Sequence, residues 1–193
     1  MIANVHRFRS TLPGRRVELY AEICEVFFGK RQAGKGIEDN LTPAQKQHVL
    51  QPLAYHLMKN EKREIKEKSA IRVIEQELKR VSPGMSCKDF LHIVENTSGL
   101  LLEKESGIWS FSHLTFQEYL TSVHIREARL EEILLEYITK SFWHETIRLY
   151  YAKNDATPVI EKCMENNNDA SSLGLAIECG QEALTVDQKT RTK

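Results

Sequence analysis

Phosphate chemistry is suggested first by residues 29–36, whose sequence GKRQAGKG satisfies the pattern G-x-x-x-x-G-K. A loop of this kind binds phosphate when it follows a strand and opens a helix, because the backbone N–H groups at the helix start then face the anion. Here a helical pattern precedes the segment, and Gly36 stands where a hydroxyl residue would hold Mg²⁺. We therefore predict a linker and not a phosphate-binding loop.

His113 is the strongest candidate for a functional side chain. It follows the short apolar segment 108–111, which is typical of a strand, and precedes a helical pattern that begins at Leu114. At the corner between a strand and a helix, an imidazole can project from a rigid point and form hydrogen bonds. The alternative is a histidine that caps the helix or bonds within the fold.

Metal binding and nucleophilic catalysis are not predicted. His48 and His56 are eight residues apart, and His113 and His124 lie too far apart along one helix to share a metal. No Ser/His/Asp or Cys/His set is suggested by local sequence, although a set formed in space stays open. The cysteines form no C-x-x-C pair and are interpreted as small buried hydrophobes of a reducing cytosol: Cys24, Cys87, Cys163 and Cys179.

The elements around His113 follow from hydrophobic periodicity and from capping residues. The segment Thr42-Pro43-Ala44-Gln45 has the pattern of a capping box with proline at the first helical position. Two short strands at 100–102 and 108–111 form a predicted hairpin. Helices are predicted over 17–28, from Thr42, over 65–81, from Ser86, and from Leu114 to about Arg126.

The predicted fold is mostly α. It comprises a remnant of a helical subdomain with a linker (1–40), a winged helix with a two-stranded wing (41–127), a helical extension (128–186) and a disordered tail (187–193). The apolar start at residues 1–5 has no capping residue before it, so we expect the chain to begin inside an element. The helical extension could open a repeat array, but too few units are present to establish a period.

The end of the predicted winged helix resembles that of NACHT-type NTPases, signalling ATPases that include the NOD-like receptors and many bacterial proteins. The shared pattern is a wing strand ending in Phe-x-His, followed by x-x-Phe-Gln-Glu-aromatic. Residues 1–7 and 12–20 also resemble the first helical subdomain that follows the nucleotide-binding core in bacterial members. The residues that match the wing pattern are Phe111, His113, Phe116, Gln117, Glu118 and Tyr119.

This resemblance implies a regulatory role without catalysis. In the family, the histidine at the position of His113 reaches the β-phosphate of bound ADP and holds a closed, inactive arrangement. The phosphate-binding loop, the magnesium-binding acidic strand and the sensor arginine lie upstream in the family. The chain is therefore expected to be a C-terminal piece that holds no cofactor itself, whereas ATP or ADP and Mg²⁺ bind the parent protein.

The resemblance also implies partners and a switch. The upstream NTPase core is the expected intramolecular partner. Nucleotide exchange would release the winged helix and let the parent protein form a homo-oligomer, as in bacterial immune sensors and regulators. Gln117 and Glu118 are expected to form structural hydrogen bonds, and Phe111, Phe116 and Tyr119 are expected in the core.

Composition excludes several other classes of protein. The chain of 193 residues has 27 Lys+Arg and 27 Asp+Glu, a balance that disfavours a dedicated nucleic-acid binder. No window approaches the roughly 18 consecutive apolar residues of a membrane span, and the N-terminus lacks the pattern of a signal peptide, so a cytoplasmic protein is predicted. The alternatives left open are a stand-alone helical protein-interaction module, a winged-helix DNA binder and a truncated product without independent activity.

Overall fold

The computed structural model of the chain describes residues 15–29, 41–166 and 169–191. The chain divides into an N-terminal unit, residues 18–121, and a C-terminal unit, formed by 15–17 and the residues from 122 onward. Residues 1–14 and 30–40 lie outside the described part. The predicted linker beyond Gly29, with its G-x-x-x-x-G-K segment, and the predicted subdomain boundary after residue 40 therefore fall outside the described residues. Within the described ranges, no helix is both long and apolar enough to cross a membrane.

The N-terminal unit is built from helices and a small sheet. The predicted helices are confirmed, with small changes at their ends. The elements in chain order are α1 (Arg16–Gly29), α2 (Pro43–Lys59), β1 (Glu64–Lys66), α3 (Glu67–Val81), α4 (Cys87–Ser98), β2 (Leu101–Glu105), β3 (Ile108–Phe111) and α5 (Leu114–Ala128), of which α1 and α5 continue into the C-terminal unit.

Side chains cap α2 and α4 at their N-termini. The Thr42 hydroxyl accepts a hydrogen bond from the Gln45 N–H at 3.2 Å, and the Gln45 side chain accepts from the Thr42 N–H at 2.9 Å. The capping box predicted for α2 is therefore confirmed. Ser86 caps α4 by accepting from the Asp89 N–H at 3.1 Å, and α4 ends at Gly99, whose φ of 66° is the left-handed conformation that glycine adopts without strain.

The sheet has three antiparallel strands in the order β1-β3-β2, and not the two strands predicted for the wing. The third strand is β1, which pairs Glu64 with Ser110 and Lys66 with Ile108. The prediction of a helix starting at residue 65 was wrong by two residues, because Ile65 is buried whereas its two neighbours are exposed, the alternation of a strand. Helix α3 begins only at Glu67.

The core of the N-terminal unit lies between the helices and the inner face of the sheet. Helix α2 contacts α3, and α3 and β2 each contact α4. The apolar faces predicted for these helices are buried as expected. Side chains with at most 1% of their surface exposed include Val49, Leu50, Leu53, Ile74, Leu78, Phe90, Leu91, Val94, Trp109 and Phe116.

The C-terminal unit consists of short helices. They are the end of α5, then α6 (Glu132–Glu136), α7 (Ser141–Tyr151), α8 (Thr157–Glu165), α9 (Ala170–Glu182) and α10 (Gln188–Arg191). Helix α9 packs against both α7 and α8, and the Trp143 ring stacks on Tyr137 with centroids 4.3 Å apart.

The prediction of a disordered tail from residue 187 is wrong for residues 188–191, which form α10. Thr190 is buried there, and its hydroxyl donates to the Glu161 carboxylate at 3.2 Å. The Asp187 N–H also donates to the Thr157 hydroxyl of α8 at 2.8 Å. The polar composition of this segment concealed the helix, because contacts to α8, distant in sequence, help to hold it.

Candidate functional site

His113 lies at the corner between β3 and α5. The strand ends at Phe111, and the Ser112 N–H donates to the Leu100 carbonyl at 2.9 Å, which ties this corner to the start of β2. The His113 carbonyl accepts from the Phe116 N–H at 3.1 Å in the first turn of the helix. The backbone on both sides of His113 is therefore fixed by hydrogen bonds.

The His113 side chain is exposed. Its ring lies against the buried Phe116 ring, with centroids 5.9 Å apart and planes tilted by 59°. Among the described residues, none forms a hydrogen bond or ion pair with this imidazole, so it neither caps α5 nor bonds within the described fold. The ring rests on an aromatic support and is accessible to an external hydrogen-bond acceptor.

The aromatic residues of the same motif belong to the core, as predicted. Phe111, Phe116 and Tyr119 are at most 5% exposed. Two of them contact α1 through ring pairs: Phe116 lies 5.9 Å from Phe27, and Tyr119 lies 6.4 Å from Tyr20. These ring pairs pack α1 against α5, the helix that follows His113.

Gln117 forms a structural hydrogen bond, again as predicted. Its side chain is 1% exposed, and its amide nitrogen lies 3.0 Å from the Lys62 carbonyl and 3.2 Å from the Met58 sulfur. Glu118 is also buried, at 8% exposure. Gln117 therefore joins α5 to the end of α2 and to the turn before β1.

A cluster that sequence reasoning missed lies where α4 meets β2. It consists of His92, Glu95 and Glu103, whose ligand-type atoms lie within 4.8 Å of one another. His92 and Glu95 are three residues apart on one helix face, a spacing visible in the sequence. Glu103 is eight residues further along, on β2, and only the packing of α4 against the hairpin brings it to the other two.

Three of the four cysteines are buried and offer no reactive thiolate. Cys24, Cys163 and Cys179 are buried as predicted, whereas the prediction is wrong for Cys87, which is partly exposed. Burial raises the pKa of Cys163 to about 11 and that of Cys179 to about 12, and it raises the pKa of Cys24 further still. Because the thiolate is the reactive form, the buried thiols behave as the small hydrophobes that the sequence predicts.

An apolar groove of about 450 Å³ opens on the C-terminal unit. It lies between α8, α9 and α10, and Ile160, Met164, Leu173 and Ile177 line it. Ile177 is 63% exposed and Leu173 is 37% exposed. An interaction module, the alternative left open by the sequence, would depend on this surface.

Comparison with known proteins gives one result for the part of the chain that carries His113. The family model described as "Winged helix-turn-helix domain C-terminal to NACHT" matches residues 16–125, which is more than half of the 193 residues. The match includes α1, the sheet and most of α5. No curated protein and no solved structure matches the chain.

Proposed function

Because the chain belongs to the family of winged helix-turn-helix domains C-terminal to NACHT, we propose that it regulates a NACHT-type signalling NTPase by clamping ADP through His113. The family describes a domain that follows the NACHT region and is not the catalytic core. The upstream NTPase core is then the intramolecular partner of the chain. We expect this parent protein to act in cytoplasmic signalling, with bacterial immunity as the class of function that the resemblance implies.

The exposed imidazole of His113 is the observation that carries the proposal. Its ring has no hydrogen-bond partner among the described residues, although its backbone is fixed on both sides. A donor that is already positioned loses little conformational freedom when it binds an anion. A phosphate oxygen is a suitable acceptor, because hydrogen bonds to charged groups are the stronger ones.

The size of the effect suits a switch. A hydrogen bond to a charged group contributes about 1.5–3 kcal/mol. Since every 1.4 kcal/mol is a factor of ten, this bond shifts the ratio of closed to open protein by roughly ten- to hundredfold. Exchange of ADP for ATP would weaken the contact, free the winged helix and permit homo-oligomerisation, a rigid-body switch biased by one ligand.

The cofactors belong to the parent protein. ADP or ATP with Mg²⁺ would be bound by the NTPase core, which supplies the phosphoryl-transfer chemistry. The residues of this chain fit a supporting role at most, because His113 offers one hydrogen-bond donor to a phosphate. We therefore expect the chain to contribute to nucleotide retention and not to hydrolysis.

The test is His113→Ala in the full-length protein that joins this chain to its NACHT core. We expect retained ADP to fall and assembly without a stimulus to rise. The matched control is His56→Ala, which removes another exposed histidine of the N-terminal unit, on α2. Equal ADP retention and equal basal assembly in wild type, His113→Ala and His56→Ala would refute the clamp.

A stability measurement separates this role from a structural one. Because the His113 side chain is exposed, His113→Ala should change the free energy of unfolding by no more than about 0.5 kcal/mol. A larger loss would mean that the imidazole stabilises the fold. Its effect on assembly could then not be assigned to nucleotide binding.

DNA binding remains disfavoured by the charges on α4 and the wing. Lys88 on α4 lies 3.4 Å from Glu67, and Lys104 on β2 lies 3.5 Å from Glu64. Lysines paired in this way contribute less to phosphate contacts, which need a surplus of positive charge. A salt-dependent mobility shift with duplex DNA would contradict this expectation.

A further inference from the structure

The geometry points to a second site, a divalent-metal site of the zinc class formed by His92, Glu95 and Glu103. It lies at the base of the wing and is independent of the proposed function of His113. One imidazole nitrogen and two carboxylate oxygens match the nitrogen and oxygen ligands that Zn²⁺ takes in proteins. All three side chains are partly buried, so a bound ion would be shielded from bulk water on one side.

The three ligand atoms are close enough together to share one ion. Because they lie within 4.8 Å of one another, some point lies within about 2.8 Å of all three. Zinc ligands stand about 2.0–2.2 Å from the metal. Closing the difference needs a movement of about 0.6–0.8 Å per ligand atom, which small side-chain rotations supply.

Backbone amides hold both carboxylates in place. The Glu103 N–H donates to one oxygen of Glu95 at 2.9 Å, and the Gly107 N–H donates to one oxygen of Glu103 at 2.6 Å. One oxygen of each carboxylate is thus held by a backbone N–H, and the second oxygen can coordinate a metal ion. The second oxygen of Glu95 lies 3.6 Å from His92 Nδ1. Outer hydrogen bonds of this kind orient the ligands at metal sites.

A buried hydrogen-bond donor beside the cluster indicates room for a water next to the three side chains. Trp109 is fully buried and packs edge-on against the His92 ring, with centroids 5.2 Å apart. It is also the cross-strand partner of Glu103. Among the described residues, its indole N–H has no hydrogen-bond acceptor. A buried unpaired N–H donor commonly marks an ordered water, and a water bound to the ion beside this ring would accept its hydrogen bond.

The strand is irregular at the position that supplies the third ligand. The register of β2 against β3 shifts between Glu103 and Glu105. Such bulges redirect side chains and occur next to functional sites. The turn that follows contains Gly107, whose φ of 74° lets its N–H reach the Glu103 carboxylate. An ion bound here would join α4 to β2, with water in the remaining coordination positions.

The experiment is calorimetric titration of Zn²⁺ into the full chain, with Mg²⁺ as the comparison. We expect one Zn²⁺ per chain and weaker binding of Mg²⁺, which prefers oxygen ligands alone. His92→Ala and Glu103→Gln should each weaken Zn²⁺ binding by more than about tenfold, since even outer residues at zinc sites cost that much. Glu103→Gln keeps an oxygen that can accept from the Gly107 N–H, so the hairpin should stay folded.

The matched control is His48→Ala. His48 and Glu77 also form a histidine–glutamate pair, with Nε2 and the carboxylate 3.0 Å apart, but no third ligand accompanies them among the residues that the structure describes. Zn²⁺ affinity should therefore be unchanged in this variant. Absent binding, or binding that His92→Ala leaves intact, would overturn the proposal. Amide NMR shifts on Zn²⁺ addition to the wild type give a second measurement, and they must centre on α4 and β2.

Discussion

Replacing Gln117 by leucine tests whether this motif residue is structural. The substitution preserves size but removes the amide that donates to the Lys62 carbonyl at 3.0 Å and contacts the Met58 sulfur. A net hydrogen bond is worth about 1 kcal/mol, and the partly buried Lys62 carbonyl left without this donor adds to the loss. We expect Gln117→Leu to lower the free energy of unfolding by about 1–2 kcal/mol, which corresponds to roughly 2–8 °C in Tm for a chain of this size.

The assay is urea unfolding followed by tryptophan fluorescence. The chain has two tryptophans, one in each unit, so all variants are made in a Trp143→Phe background, where Trp109 reports the unit that contains Gln117. The control is Gln76→Leu, which changes an exposed glutamine on α3. Equal unfolding midpoints for Gln117→Leu and the control would refute the structural role of Gln117.

Two further predictions concern ionisable groups. In the native protein, Cys87 should react with a disulfide reagent before the other three cysteines, because it alone of the four is partly exposed. Equal reaction rates for all four thiols in a colorimetric assay would contradict this. Asp169 is the N-cap of α9, and its pKa is lowered from 3.8. The main cause is the hydrogen bond from the Ser172 hydroxyl, followed by those from the backbone N–H groups of Ser171 and Ser172. The stabilising effect of the Asp169 carboxylate is therefore complete above pH 3.8 and is lost as the pH falls below that value. In denaturation experiments, the difference in unfolding free energy between wild type and Asp169→Ala should shrink on acidification. A difference that stays constant with pH would contradict this prediction.

Local signals made much of the N-terminal unit predictable. N-capping residues and helical periodicity act within one or two turns, so the start of α2 at Thr42 and of α4 at Ser86 could be predicted from neighbouring residues alone. Strand β1 could not be predicted in this way. It has three residues, and its hydrogen bonds go to residues 108–110, more than forty positions away.

The same contrast between local signals and long-range contacts applies to the candidate sites. The position of His113 at a corner could be predicted because only two residues separate the strand that ends at Phe111 from the helix that begins at Leu114. The cluster of His92, Glu95 and Glu103 required the packing of α4 against β2, and the helical spacing of its first two members gives no indication of the third. The groove on the C-terminal unit likewise depends on three helices that are separate in sequence.

The central position of β3 in the sheet has a consequence for local unfolding. Its partners β1 and β2 occupy both of its edges, so its amide groups exchange with solvent only when one ladder opens. The strand that leads into His113 therefore cannot fray by itself. A displacement of the backbone at this corner is therefore coupled to the sheet as a whole, whereas the exposed His113 side chain can rotate without it.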